Sequence, residues 1–151
     1  MRSARRLLFA GLFLFLNPSR PAPVSIPFQI TKTGLIEVIC EIQSKPGKTL
    51  SCVIDTGAQN SMAAASSVST KSMHGAPTVG FLTAAGKQVA YLTKQTILLG
   101  GVPLPATVEV TPMLSAMGTD VLIGEDVLSQ FQSFSIDYRN HVLTYEITQG
   151  R

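Results

Sequence analysis

The stretch Cys52-Val53-Ile54-Asp55-Thr56-Gly57-Ala58 decides how this chain is read. Val53 and Ile54 are β-branched and predict a strand. The strand runs straight into Asp55, and an ionised carboxylate beside apolar side chains loses solvation. Gly57 lets the backbone turn sharply and come close to that carboxylate. Backbone N–H groups in such a turn can bond the acid and hold it. An acid placed in this way suits chemistry better than it suits solubility.

Upstream, Ile36, Val38, Cys40 and Ile42 fall on one face of a strand, and Glu37 and Glu41 on the other. That period of two predicts a half-buried strand. Lys45-Pro46-Gly47-Lys48 is a turn signal, so Leu50 to Ile54 becomes the return arm of a hairpin. A turn centred near Pro46 puts Cys40 opposite Cys52. Three readings of the pair stay open. They are two small buried hydrophobes, a cross-strand disulfide, or ligands that no local His/Cys cluster supports.

Downstream the chain turns small and polar from Ser61 to His74. Ala63 to Val68 reads as one helical turn or as loop, and Met62 and Met73 as gap fillers. Thr78 to Leu99 predicts a long hairpin with its tip near Ala85-Gly86, and Tyr91 is expected to pack against its base or the core. Gly100 to Pro105 is a turn, Ala106 to Val110 a strand, and Thr111 to Gly118 a loop whose Met113, Leu114 and Met117 cover a pocket rim or the core edge. Val121-Leu122-Ile123 is a buried strand stopped by Gly124, and Glu125 to Phe131 a short helix. A final hairpin breaks at Tyr138-Arg139-Asn140-His141. There is no internal repeat and no second Asp-Thr-Gly.

Two motifs, taken together, carry a resemblance. Asp55-Thr56-Gly57-Ala58 is followed soon by Ser61, and Val121-Leu122-Ile123-Gly124 by Glu125-Asp126-Val127-Leu128. In order and spacing the chain resembles the retropepsin-like aspartic proteases, the retroviral enzymes with their cellular and bacterial relatives, from Pro27 to Glu146. The resemblance implies an all-β fold: a closed β-barrel-type acid protease lobe with a flap hairpin and one short C-terminal helix. It implies Asp55 as the catalytic acid, with Thr56, Gly57, Ala58, Leu122, Ile123 and Gly124 as its support. Thr83, Ala84, Ala85 and Gly86 would then be the flap tip, closing over an extended peptide. No cofactor and no metal are required. Retroviral relatives commonly carry an Arg after this Gly. Here Glu125 stands in its place, so the ion pair that Arg makes is absent or rebuilt.

Peptide hydrolysis by carboxylates needs two of them close together, one ionised to activate water and one protonated to polarise the carbonyl. The chain offers one convincing candidate. Asp120 is expected to tie down the supporting loop, Asp126 to sit at the start of the short helix as a cap or first-turn residue, and Asp137 to serve the last turn. The missing partner is expected from symmetry, as Asp55 of a second copy in a homodimer.

Length and charge bound the rest. A chain of 151 residues allows one domain, assigned here to residues 28–148, with 23–27 as an extended arm. Arg2, Arg5 and Arg6 precede ten residues without a polar side chain, Leu7 to Leu16. That run is too short to span a bilayer, and residues 1–22 read as a signal peptide or an uncleaved N-terminal anchor. The expected location is therefore exported, periplasmic or secreted, with membrane contact only through that segment. Without residues 1–22, twelve basic residues become eight against nine acids, a net charge near −1. The formal +3 of the whole chain is thus a property of the N-terminal segment and argues for no nucleic-acid partner. No Gly-x-Ser-x-Gly elbow exists, and His74 and His141 have no evident nucleophile beside them. Two other functions compete with peptide hydrolysis: a silent dimeric peptide-binding module of the same fold, and a structural envelope protein.

Overall fold

Alternation builds the first sheet strands. The computed structural model describes residues 22–83 and 86–147. Strand β1 spans Val24–Ile30, β2 Ile36–Ile42 and β3 Leu50–Ile54. Along β2, Ile36, Val38, Cys40 and Ile42 are all buried, as the period of two requires. The remaining strands are β4 Met62–Ala64, β5 Thr78–Thr83, β6 Gly86–Leu99, β7 Val102–Thr111, β8 Val121–Ile123, β9 Phe131–Asp137 and β10 Val142–Ile147. Three four-residue helices interrupt them: α1 Thr70–Met73, α2 Met113–Ala116 and α3 Glu125–Leu128.

The strands form one mixed sheet in the order β5-β6-β7-β4-β8-β3-β2-β1-β10-β9, with β6 also pairing β2. Most pairs are antiparallel, but β3–β8 and β4–β7 are parallel. This corrects the expectation of an all-β, closed-barrel lobe with one helix. Helices occur at three places, and β5 and β9 stand at the two ends of the strand order.

Several local expectations also change. The arm assigned to residues 23–27 is mostly strand, because Val24 to Pro27 pairs with Tyr145 to Val142 in β10. Pro27 is the last residue of that register, where β1 passes on to β2 at Phe28. Ala63 and Ala64 lie in β4 rather than in a helical turn; a 3-10 turn follows at Ala65–Ser67. The loop expected at 111–118 contains α2. Helix α3 ends at Leu128 because Phe131 is drawn into β9 and buried there. Tyr91 is 44% exposed rather than packed.

The hairpin of β2 and β3 pairs Cys40 with Leu50 and Val38 with Cys52, so the two cysteines are diagonal neighbours, not opposite ones. Both are buried on the same face with Cα atoms 5.9 Å apart, and the structure joins them in a disulfide. A crosslink over so short a loop is worth roughly 3 kcal/mol through the unfolded chain. At the other end of the core, the Tyr145 hydroxyl donates to the Leu99 carbonyl at 2.6 Å. Burial pushes that phenol up to about 12.

Candidate active site

Strand β8 lies between two halves of one chain segment. On one side β3 pairs with it in parallel, Val53 with Leu122 and Ile54 with Ile123. On the other, β4 pairs with it antiparallel, Met62 with Leu122 and Ala63 with Val121. Residues 55–61, which join β3 to β4, must therefore cross the end of β8, and Gly124 sits under the crossing. A Cβ there would lie 2.8 Å from the Ala58 and Asn60 carbonyl oxygens. No side chain larger than hydrogen fits, which is the physical reason for glycine at the end of the Leu-Ile-Gly motif.

The crossing is held by hydrogen bonds in both directions. The Glu125 N–H donates to Ala58 O at 2.8 Å and the Asp126 N–H to Gln59 O at 3.2 Å. In return, Asp126 Oδ1 accepts from the Ser61 N–H at 2.9 Å and the Ser61 hydroxyl at 2.6 Å. The same hydroxyl oxygen accepts the Gly124 N–H at 3.0 Å. Ser61 is fully buried. Asp126 lies in the first turn of α3, one of the two places expected for it. It makes no cap bond: Gly124 occupies the cap position of α3 without a side-chain bond, and the carboxylate braces the loop instead.

Asp55 stands at the start of that loop. Its N–H donates to Ile123 O at 3.0 Å, which continues the β3–β8 ladder by one residue. Its carboxylate Oδ1 accepts the Gly57 N–H at 2.9 Å, and the Ala58 N–H donates to Asp55 O at 3.2 Å. A Cβ on Gly57 would come within 3.3 Å of that same oxygen, so a side chain would crowd the acid. Asp55 is half-buried, and Thr56 beside it is exposed. Among the described residues, neither the second Asp55 oxygen nor the Thr56 hydroxyl has a hydrogen-bond partner.

The other aspartates carry scaffold bonds. Asp120 accepts from the Ser51 N–H and the Ser67 hydroxyl, both at 3.1 Å, and lies 3.5 Å from the Lys48 ammonium. It ties the start of β3 to the segment after β4 rather than holding the loop of residues 55–61. Asp137 closes the β9–β10 turn by accepting from the Arg139 and Asn140 N–H groups and the Asn140 side chain. Those bonds, the Asn140 side chain first, hold its carboxyl below the usual value near 3.8. Among the described residues no three His, Cys, Asp or Glu side chains gather as metal ligands.

The expected flap is the β5–β6 hairpin, with Thr83 pairing Gly86 at its end. Ala84 and Ala85, assigned to the tip, lie outside the described residues, as do residues 1–21 of the N-terminal segment. Sequence reasoning missed a cavity of about 440 Å³, lined by Leu35, Glu37, Val53, Leu114, Met117 and Leu122 among others. Val53 lies two residues before Asp55, roughly 7 Å along the chain. The alternation of Glu37 and Val53 along their strands was the signal that could have found it. A larger open hollow includes Asn60, Gln95 and Asp126 but reaches the motif only through residues already engaged. The smaller cavity is the nearer of the two to Asp55 along the chain, because Val53 lines it.

A family model described as "Retroviral aspartyl protease" matches residues 31–134. Among solved structures, a retropepsin-like aspartic protease from Rickettsia conorii is similar at 17% identity with a TM-score of 0.59, covering 83% of this chain and 91% of its own. The protease of simian foamy virus (mac) is similar at 18% identity with a TM-score of 0.44, over 62% of this chain and 91% of its own. No curated protein matches the chain.

Proposed function

The chain belongs to the retroviral aspartyl protease family, and from that premise we propose that it is an aspartic endopeptidase whose catalytic dyad is Asp55 from each of two copies. The observation that carries this reading is the contrast among the acids. Asp55 is held by a single N–H of its own loop at the end of a strand, while Asp120, Asp126 and Asp137 each accept two or more hydrogen bonds from the scaffold.

One such acid makes half a site. A two-fold axis beside Asp55 brings its twin within reach, and the two then titrate as a pair sharing one proton. The ionised member takes a proton from a water held between them, and the water attacks the scissile carbonyl. The neutral member donates to the developing oxygen, and protons pass to the leaving amine. The Gly57 N–H orients the carboxylate. Thr56, exposed and without a hydroxyl partner among the described residues, bonds the other copy's backbone and locks the pair. Substrate lies extended beneath the β5–β6 hairpin, bonded partly through its backbone. Export, with residues 1–22 as signal or anchor, belongs to the same proposal, and the Cys40–Cys52 disulfide supports it, since such bonds persist in oxidising compartments.

The test is digestion of an unfolded protein across pH. The expected result is cleavage with an optimum at roughly pH 4–6, set by the shared proton, and inhibition by a statine-type transition-state mimic. A folded protein that binds extended peptides at these pH values without cutting them would instead be the silent peptide-binding module.

A further inference from the structure

The cavity lined by Val53, two residues before Asp55, contains a charge that the hydrolytic mechanism does not use. Glu37 pairs with Val53 across β2 and β3, and Val53 pairs with Leu122 across β3 and β8. The three side chains therefore stand in a row on one sheet face, and Asp55 follows two residues after Val53, just past the end of β3, where its N–H continues the ladder to Ile123. Leu35, Leu114 and Met117 wall the cavity around them. Glu37 is half-buried, and among the described residues its carboxylate has neither a hydrogen bond nor an ion pair. Lys32, the one cation in the lining, is exposed at the mouth and not paired with it.

We infer that Glu37 makes this pocket select a substrate side chain that is apolar along its stem and cationic at its tip, a lysine or an arginine. The inference rests on the peptidase reading for its substrate, and it deepens that reading by naming a side-chain class. A carboxylate among apolar walls loses solvation, and an incoming cation offsets that loss. The aliphatic stem of Lys or Arg packs on Val53, Leu122, Leu35 and Met117 while the charged head reaches the acid. A guanidinium can bond both carboxylate oxygens at once. The volume of about 440 Å³ is within the range of pockets that enclose small ligands. A pocket with a charged group awaiting a partner discriminates more strongly than an apolar pocket sensing only size. Lys32 does not block entry, because its exposed ammonium can stay in water.

The experiment uses the full chain and a peptide set in which Lys, Arg or Leu is scanned through the positions flanking the cleaved bond. At one position the wild-type protein should favour Lys or Arg over Leu by about tenfold or more in kcat/KM. Glu37→Gln should erase that preference while leaving the Leu peptide within about twofold. Equal use of all three peptides by the wild type, or a preference that survives Glu37→Gln, overturns the inference. Binding of the same peptides to Asp55→Asn separates the two proposals. Tighter binding of the Lys peptide that disappears in Asp55→Asn/Glu37→Gln supports the pocket even where no peptide is cut. Peptides cut without any charge preference uphold the peptidase and remove the pocket's role.

Discussion

Asp55 and Asp126 lie at opposite ends of one knot and teach opposite lessons. Asp126 takes two hydrogen bonds from Ser61 on a single oxygen, and Ser61 in turn holds the Gly124 N–H. Asp55 takes one bond, from a glycine two residues on in its own loop. Both are aspartates next to a buried strand end. What separates them is the supply of donors: Ser61, at the end of the loop between β3 and β4, gives both its N–H and its hydroxyl to Asp126, while the Asp55 carboxylate receives only the Gly57 N–H. The engaged acid fixes the backbone, and that fixed backbone presents the unengaged acid.

The sharpest way to break this contrast is Asp55→Asn. The amide keeps the shape and loses the charge, so peptidase activity should fall by on the order of a thousandfold or more, while circular dichroism and melting temperature stay near wild type. Undiminished cleavage would mean that the reactive acid lies elsewhere. Gly124→Ala attacks the other side of the contrast. Its new methyl meets backbone carbonyls 2.8 Å away, which cannot rotate aside, so the expected loss is roughly 1–3 kcal/mol of stability. A thermal melt reads this directly, and an unchanged midpoint would show that the crossing is slack.

Removing the brace should cost somewhat less and should spare chemistry more than Asp55→Asn does. Ser61→Ala leaves the Gly124 N–H unpaired and strips Asp126 of a bond, a loss of about 1–2 kcal/mol. Asp126→Ala removes two bonds to the same residue. The double variant should lose less than the sum of the two, because both act on one network. Strict additivity would deny the network.

The smallest effect concerns Asp137, an exposed turn acid whose carboxyl is held low mainly by the Asn140 side chain. A lowered folded value means that the turn's contribution is present above pH about 3.8 and is lost as pH falls through the folded value. Asn140→Ala should raise the Asp137 titration toward its ordinary value in a carboxylate NMR experiment, with activity untouched. An unshifted midpoint would mean that the asparagine is not the cause.

These regions also differ in how far the sequence discloses them. The β2–β3 hairpin, the Asp-Thr-Gly turn, the β5–β6 hairpin and the closing β9–β10 pair are legible because alternation and turn residues act locally. Strand β4 is not, since Met62-Ala63-Ala64 has little strand preference of its own and becomes a strand only between β7 and β8. Helix α2 is hidden for a similar reason: it is one turn behind Pro112 with no cap bond. The half-turn slip that sets Cys40 against Leu50 depends on which residues of Ser44–Lys48 form the bend, and several choices satisfy the same turn signal. The brace through Ser61 and Asp126 spans 65 residues, beyond the reach of any local pattern. Asp55 could be singled out as an acid, but its contrast with Asp126 appears only when the donors around both are in place.

The pairing of two Asp55 side chains is most directly tested by mixing. Wild-type and Asp55→Asn chains, unfolded together and refolded in varied ratios, should give activity that follows the square of the wild-type fraction. An equal mixture should then retain about a quarter of the activity, because only dimers with both acids work. Activity that falls in simple proportion to the wild-type fraction would mean that each chain hydrolyses peptides alone, and would contradict the shared site.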